Sequence, residues 1–235
     1  MGARGKRLPA AADAAKVAEF LAEAARVPAP RTDGCRGRLL FAMDATASRE
    51  PSWDRACQIQ GEMFLATEAL GGLEVQLVFY RGFGECKASP WVTSADALVR
   101  RMSAVLCRSG QTQIAKVLRH AIAETKRRKV NALVFVGDCM EESADELRRL
   151  AGELGLLGVP AFMFHEGDDP VAARCFRDIA RLTGGAYCAF DAASAQQLRE
   201  LLGAVAAYAA GGRPALEDYG RTRGKAARLL TRQLG

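Results

Sequence analysis

Short, almost unbroken apolar runs recur along the chain: Leu39-Leu40-Phe41-Ala42-Met43, residues 74–80, Ala132-Leu133-Val134-Phe135-Val136, residues 159–164 and residues 186–190. Runs of this length without polar alternation predict strands buried on both faces. Between them, apolar residues return at helical spacing. Residues 11–27 predict an opening helix with Val17, Phe20, Leu21, Ala24 and Val27 on one face, ended by Pro28 and Pro30. Pro51 suits the first turn of a second helix, which runs through Met63, Phe64, Leu65 and Leu70 until Gly71-Gly72 stops it. Ser94 can cap a helix to about Cys107, and further helices are predicted at 112–128, 143–155, 169–183 and 194–210. Arg81-Gly82-Phe83-Gly84-Glu85 reads as a hairpin turn into a short edge strand near residues 85–88. Strands alternating with helices imply right-handed crossovers. The fold class is therefore α/β: a doubly wound, mainly parallel six-stranded sheet flanked by helices, with one antiparallel edge strand.

Composition adds bounds. The 235 residues suffice for one domain with a large core, half of them apolar and about a quarter charged. No apolar stretch reaches the roughly 20 residues of a membrane span, and the basic start lacks the apolar core of a secretory signal. Seven cysteines, at 35, 57, 86, 107, 139, 175 and 188, are odd in number and never spaced as Cys-x-x-Cys. The expectation is a reduced, cytoplasmic protein. The net charge of +6 is concentrated at the ends. Arg4, Lys6 and Arg7 carry one part; Arg213, Arg221, Arg223, Lys225, Arg228 and Arg232, against Glu217 and Asp218, carry the other. Residues 1–35 then read as a helical extension, 36–210 as the domain, and 211–235 as a basic helical extension docked through Leu229 and Leu230.

The chemistry sits where two apolar runs stop. The first ends on Asp44, followed at alternate positions by Thr46 and Ser48; the second leads to Asp138. In doubly wound sheets, ligands gather at the carboxyl ends of strands where the strand order reverses. If that reversal falls between these two strands, Asp44 and Asp138 meet. Thr112, after Gly110 and at a helix start, would add another hydroxyl. Oxygen donors without sulfur or imidazole suit Mg2+, Mn2+ or Ca2+ over zinc or copper. A site with two full negative charges leaves the cation electrophilic, with a position open to a carboxylate from another molecule.

Asp44-x-Thr46-x-Ser48, Thr112 and Asp138 resemble the metal-ion-dependent adhesion site (MIDAS) of the von Willebrand factor A (VWA) domain. The resemblance covers about residues 36–210. The family's pattern is Asp-x-Ser-x-Ser, a distant Thr in a Gly-rich approach to a helix, and a distant Asp; Ser109-Gly110-Gln111-Thr112-Gln113-Ile114 is similar to that approach. It implies hydroxyls of Thr46 and Ser48 on the metal, Thr112 joining them, and the aspartates often acting through water. Two departures stand out: Thr46 replaces Ser, and Cys139-Met140 follows Asp138 in place of a frequent Gly. Glu141 and Glu142, beside them, can add negative charge or bind water.

The expected function is an intracellular protein-interaction module that holds Mg2+ (Mn2+ or Ca2+ as alternatives) and binds an acidic side chain of a partner protein. The resemblance further implies membership of a multi-protein machine such as an AAA+ ATPase or chaperone system. A nucleic-acid-associated factor using the basic C-terminal helix is the alternative, and a metal-assisted hydrolase the third. No phosphate-binding Gly-x4-Gly-Lys-Ser/Thr loop, Cys-x5-Arg loop or Gly-x-Ser-x-Gly elbow occurs. Asp44-Ala-Thr46 also evokes phosphoaspartate enzymes, but Lys87 and Lys116 make poor partners for that chemistry. With two histidines and no evident general base, an enzyme is not expected. His165 is expected in an exposed loop after its strand, His120 on a helix surface, and Trp53 and Met63 on a buried helix face.

Overall fold

The computed structural model describes residues 36–50, 73–190 and 195–223. The helices expected at 11–27 and 51–70, with Trp53 and Met63, lie outside the described residues, as do Leu229 and Leu230. Within them the order is β1 (Gly37–Asp44), a 3-10 turn (Ala47–Arg49), β2 (Leu73–Arg81), β3 (Glu85–Ala88), α1 (Ala95–Ser103), α2 (Ile114–Arg127), β4 (Ala132–Gly137), α3 (Ala144–Leu156), β5 (Ala161–Glu166), α4 (Pro170–Thr183), β6 (Ala186–Phe190) and α5 (Ala195–Arg223).

The strands form one six-stranded sheet in the order β3-β2-β1-β4-β5-β6. Neighbours are parallel except β2 and β3, which pair as an antiparallel hairpin with Arg81 opposite Glu85. After β1 the chain moves outward through β2 to β3, then returns to place β4 on the other side of β1. The strand order thus reverses between β1 and β4, as the sequence requires for Asp44 and Asp138 to meet.

Each strand sends alternate side chains to opposite faces. Leu40, Ala42, Leu133, Phe135 and Met163 pack under α2, α3 and α4; Leu39, Phe41, Met43, Val134, Val136 and Phe162 pack with Leu98 and Met102 of α1 and Ala204–Ala209 of α5. All eight residues of β1 are buried, which explains its lack of alternation.

Three boundaries differ from the expected ones. Helix α1 stops at Ser103, and the loop after it is tied to the end of β1 by Arg108 N–H on the Ala45 carbonyl (3.0 Å). Strand β5 starts two residues later than expected and runs on through His165 and Glu166. Pro160 is left in the turn, although its carbonyl still accepts from Leu133 N–H. Finally, α5 does not end at Gly211-Gly212. Gly212, with φ at 69°, supplies a kink in a conformation that only glycine adopts freely, and a second helical segment follows to Arg223. Leu216 of that segment is buried, and Tyr219 packs against the same core.

Candidate metal centre

The end of β1 sits in a fixed frame. Asp44 pairs in register with Tyr80 on β2, while Gly137 of β4 lies one step beyond the Met43–Val136 pair. A Cβ on Gly137 would lie 3.6 Å from the Asp44 Cβ. Asp44 is fully buried. One of its oxygens accepts Thr46 N–H (2.7 Å) and the other accepts the Tyr80 hydroxyl (2.9 Å). Burial raises the Asp44 pKa, opposed chiefly by the bonds from Thr46. Beneath it an aromatic row continues from Tyr80 to Phe135 (6.3 Å between centroids), Phe176 (5.4 Å) and His165 (5.4 Å).

Thr46 and Ser48 place their hydroxyls together, 3.1 Å apart, Thr46 buried and Ser48 exposed. Asp138 follows β4 directly, and its Oδ1 is buried without a hydrogen-bond donor among the described residues. A carboxylate oxygen of Asp44, one of Asp138 and the Cys139 sulfur all lie within 4.8 Å of one another. A thiol thus stands beside the carboxylates that the sequence pointed to. Burial first, then the charges of Asp138, Asp44 and Glu141, push that thiol up to about 12, so it is neutral at pH 7.

Thr112 belongs to the same rim but is held in a particular way. Its N–H donates to a Glu141 carboxylate oxygen and its hydroxyl accepts Glu141 N–H, both at 3.0 Å. Gln113 at the start of α2 makes no side-chain cap. Glu142 serves instead, with its carboxylate accepting Ile114 N–H and Ala115 N–H (2.9 Å) from 28 and 27 residues away. A carboxylate at a helix N-terminus satisfies orphan donors and meets the favourable end of the helix dipole. Glu141 and Glu142 thus tie the Thr112 loop to the Asp138 loop. Gly110 packs directly on Gly82, where a Cβ would come within 2.1 Å of the Gly82 carbonyl oxygen, and Gln111 N–H donates to that oxygen (3.2 Å). All five oxygen-bearing residues expected from the sequence stand on one rim of the sheet.

Sequence reasoning misplaced His165. It is a buried residue of β5, 1% exposed, with Nδ1 against the Tyr187 hydroxyl (3.0 Å) and Nε2 against the Asp138 backbone oxygen (3.1 Å). The expected loop begins only at Gly167. His120 is half-buried, with Nε2 2.8 Å from Gln76 Oε1, and burial lowers its pKa. Two further residues gave no sequence signal, Tyr80 and Arg49. Arg49 is 2% exposed and ion-paired to Glu166. Tyr80 was detectable only by aligning β1 with β2.

The residues fit a divalent cation: two carboxylates, one with an oxygen lacking a donor, beside two hydroxyls at a strand-order reversal. The positive charge of Arg49, on which Asp138 and Asp44 act, opposes it.

Comparison with solved structures fixes the architecture. The SpRpn10 VWA domain superposes with a TM-score of 0.58 at 15% identity, over 72% of this chain and 94% of that one. The fold is that of a VWA domain. The PilB minor pilin of Streptococcus sanguinis matches at 0.56 and 8% identity, over 83% of this chain and 65% of the pilin. Proximal thread matrix protein 1 of the mussel byssus, in a structure with a zinc-occupied MIDAS motif, matches at 0.55 and 15%, over 73% of this chain and 46% of that one. The chain thus spans nearly all of the first VWA structure and under two thirds of the other two proteins. No family model matches the chain, nor does any curated protein sequence. Among the described residues no helix is long and apolar enough to cross a membrane.

Proposed function

We propose that the chain is a protein-interaction module that presents a divalent cation at the carboxyl-end rim of its VWA sheet to an acidic side chain of a partner protein. The observation that carries this reading is the meeting of Asp44 and Asp138 at the ends of adjacent parallel strands, with Asp138 Oδ1 buried and lacking a donor among the described residues. Asp44 and Asp138 would hold the ion by charge, and Thr46, Ser48 and Thr112 would add neutral oxygens. Mg2+ is the proposed ion, with Mn2+ or Ca2+ as substitutes; the Cys139 sulfur makes zinc a competitor. When bound, such an ion supplies an electrophilic position that a carboxylate from another molecule can occupy.

The chain's own groups prepare that position. Thr46 N–H and the Tyr80 hydroxyl fix the orientation of Asp44. The Glu141 and Glu142 bonds hold the Thr112 loop against the Asp138 loop. Around them the rim is apolar at two points. Phe83, at the hairpin tip, is 84% exposed and Leu106 69%; Arg81 Nη1 bridges the two loops by donating to the Leu106 carbonyl (2.6 Å). Apolar side chains flanking a charged centre suit a protein partner better than a phosphate backbone. The proposal is binding without turnover; both ring nitrogens of His165 are in hydrogen bonds of the fold, and His120 bonds Gln76. A cytoplasmic setting and a partner within an AAA+ ATPase or chaperone machine complete the proposal. The free thiols of Cys86, Cys107, Cys139, Cys175 and Cys188 suit a reducing compartment.

Affinity capture from the native cell in Mg2+ or Mn2+, repeated with EDTA and with Asp44→Ala, tests the reading. Both treatments should abolish capture. An Asp44→Ala protein that still captures a partner in an EDTA-sensitive way would place the centre elsewhere.

A further inference from the structure

Resting on that reading of the rim, we propose that Arg49 is a tethered cation of the same centre: it neutralises Asp138 and Asp44 when no divalent ion is bound, and competes with the ion for them. The argument begins with geometry. Arg49 closes the 3-10 turn after β1, its N–H on the Thr46 carbonyl (3.1 Å), so its backbone is anchored at the end of that strand. Its guanidinium pairs with Glu166 at the end of β5. Strand β4 lies between β1 and β5, and adjacent strands are about 4.8 Å apart. A side chain rooted beside β1 and paired on β5 must cross the end of β4. Asp138 sits there, since Gly137 is level with His165 and Asp138 with Glu166.

The electrostatics agree. Burial pulls the Arg49 guanidinium below its ordinary value, and the charges of Asp138 and then Asp44 act in the opposite direction. A guanidinium this deep is tolerated only against carboxylates. Three acidic residues from three neighbouring strand ends surround one arginine, and two of the three are the proposed charged ligands of the ion. A divalent cation entering beside Asp44 and Asp138 meets that fixed positive charge. Entry therefore sets the ion's charge against that of Arg49, which is left paired with Glu166. The device has two consequences: a rim that is formed without metal, and a metal affinity set lower than the donors alone would give.

Two measurements on the full chain separate this proposal from the metal reading. The first is a double-mutant cycle in EDTA, comparing thermal midpoints of wild type, Arg49→Met, Asp138→Asn and the double variant. Arg49→Met should lower the midpoint by several degrees in the wild-type background and by clearly less beside Asp138→Asn. Equal losses in both backgrounds overturn the tethered-cation assignment, whatever the metal does. If Arg49→Met does not fold alone but folds beside Asp138→Asn, that rescue is the same coupling; Arg49→Lys, which keeps the charge, should fold in either case. The second is Mn2+ titration by calorimetry. Arg49→Met, or the Arg49→Lys variant with its shorter reach, should bind Mn2+ more tightly than wild type, by about tenfold for the charge removal. Unchanged or weaker binding by both variants overturns the competition. Failure of every variant and of wild type to bind any divalent ion removes both the metal reading and the competition, while the cycle in EDTA still decides whether Arg49 neutralises Asp138.

Discussion

A buried arginine lies near each end of β1, Arg38 within the strand and Arg49 in the turn that follows it, and the two are compensated in different ways. At the amino end, Arg38 donates to the Arg128 carbonyl (2.6 Å) and to Glu124 (3.3 Å), lies 3.4 Å from Glu74, and stacks 3.7 Å from the Trp91 ring. Glu124 is itself held by Trp91 Nε1 (2.9 Å) and Arg127 (3.1 Å), and Arg128 grips Glu74 through both terminal nitrogens. Every carboxylate there is committed to a side chain of the same network. At the carboxyl end, Arg49 has Glu166 and the field of Asp138 and Asp44, while an oxygen of Asp138 has no donor among the described residues. The carboxylates at the amino end are thus all engaged by side chains, whereas at the carboxyl end a carboxylate oxygen is left over. The first network closes the bottom of the sheet; the second leaves acceptor capacity at the place where the strand order makes a crevice.

The sharpest way to break this contrast is at the amino end. Glu124→Ala strips Arg38, Trp91 and Arg127 of one partner and should cost about 3 kcal/mol in urea unfolding, the usual loss when one side of a buried pair is deleted. Divalent affinity should not change; a matching loss of metal binding would mean that the two ends are one network. Next in size is Glu142→Ala, which uncaps α2 at long range. It should cost about 1–2 kcal/mol and weaken Mn2+ binding by loosening the loop of Thr112, readable by calorimetry. Phe83→Ala leaves both ion networks alone. Partner capture should weaken by roughly fivefold, about 1 kcal/mol, with thermal midpoint and Mn2+ affinity as in wild type.

The smallest effect is a pH dependence. Burial lowers the pKa of His165 below its ordinary 6.5, and does the same for His120. The unfolded chain therefore takes these protons first. Their contribution to stability is complete above pH 6.5 and is lost as pH falls through the interval below it. His165→Gln should flatten part of that decline in unfolding measured from pH 7 to pH 5; an unaltered slope would mean that His165 carries none of it.

Much of this molecule was readable before folding. Apolar runs too short for helices and without alternation marked the parallel strands, and Ser94 capped its helix as expected, accepting Ala97 N–H (3.2 Å). The Arg81–Glu85 segment formed the hairpin and edge strand. The five oxygen-bearing residues fell on one rim because each lies within a few residues of a strand or helix end, which periodicity locates. What escaped reading lay beyond local signal. His165 is one residue past the expected end of β5, and a single residue in a strand decides between rim and core. Cys139 was legible only as a departure from the family's frequent Gly, until Asp44 and Asp138 stood within 4.8 Å of its sulfur. Glu142 caps a helix that begins 28 residues earlier, and no local motif encodes that.

From its sequence alone the chain determined which segments become strands and helices, and that carboxylates and hydroxyls end them, because burial and hydrogen bonding act on residues two to four apart. Only the tertiary structure decided which charges meet. The order β2-β1-β4-β5 set the ends carrying Tyr80, Asp44, Asp138 and Glu166 side by side and paired Arg49 with Glu166. Electrostatic energy falls off with distance through a medium whose dielectric depends on packing, so neither partner nor strength is written in the local pattern.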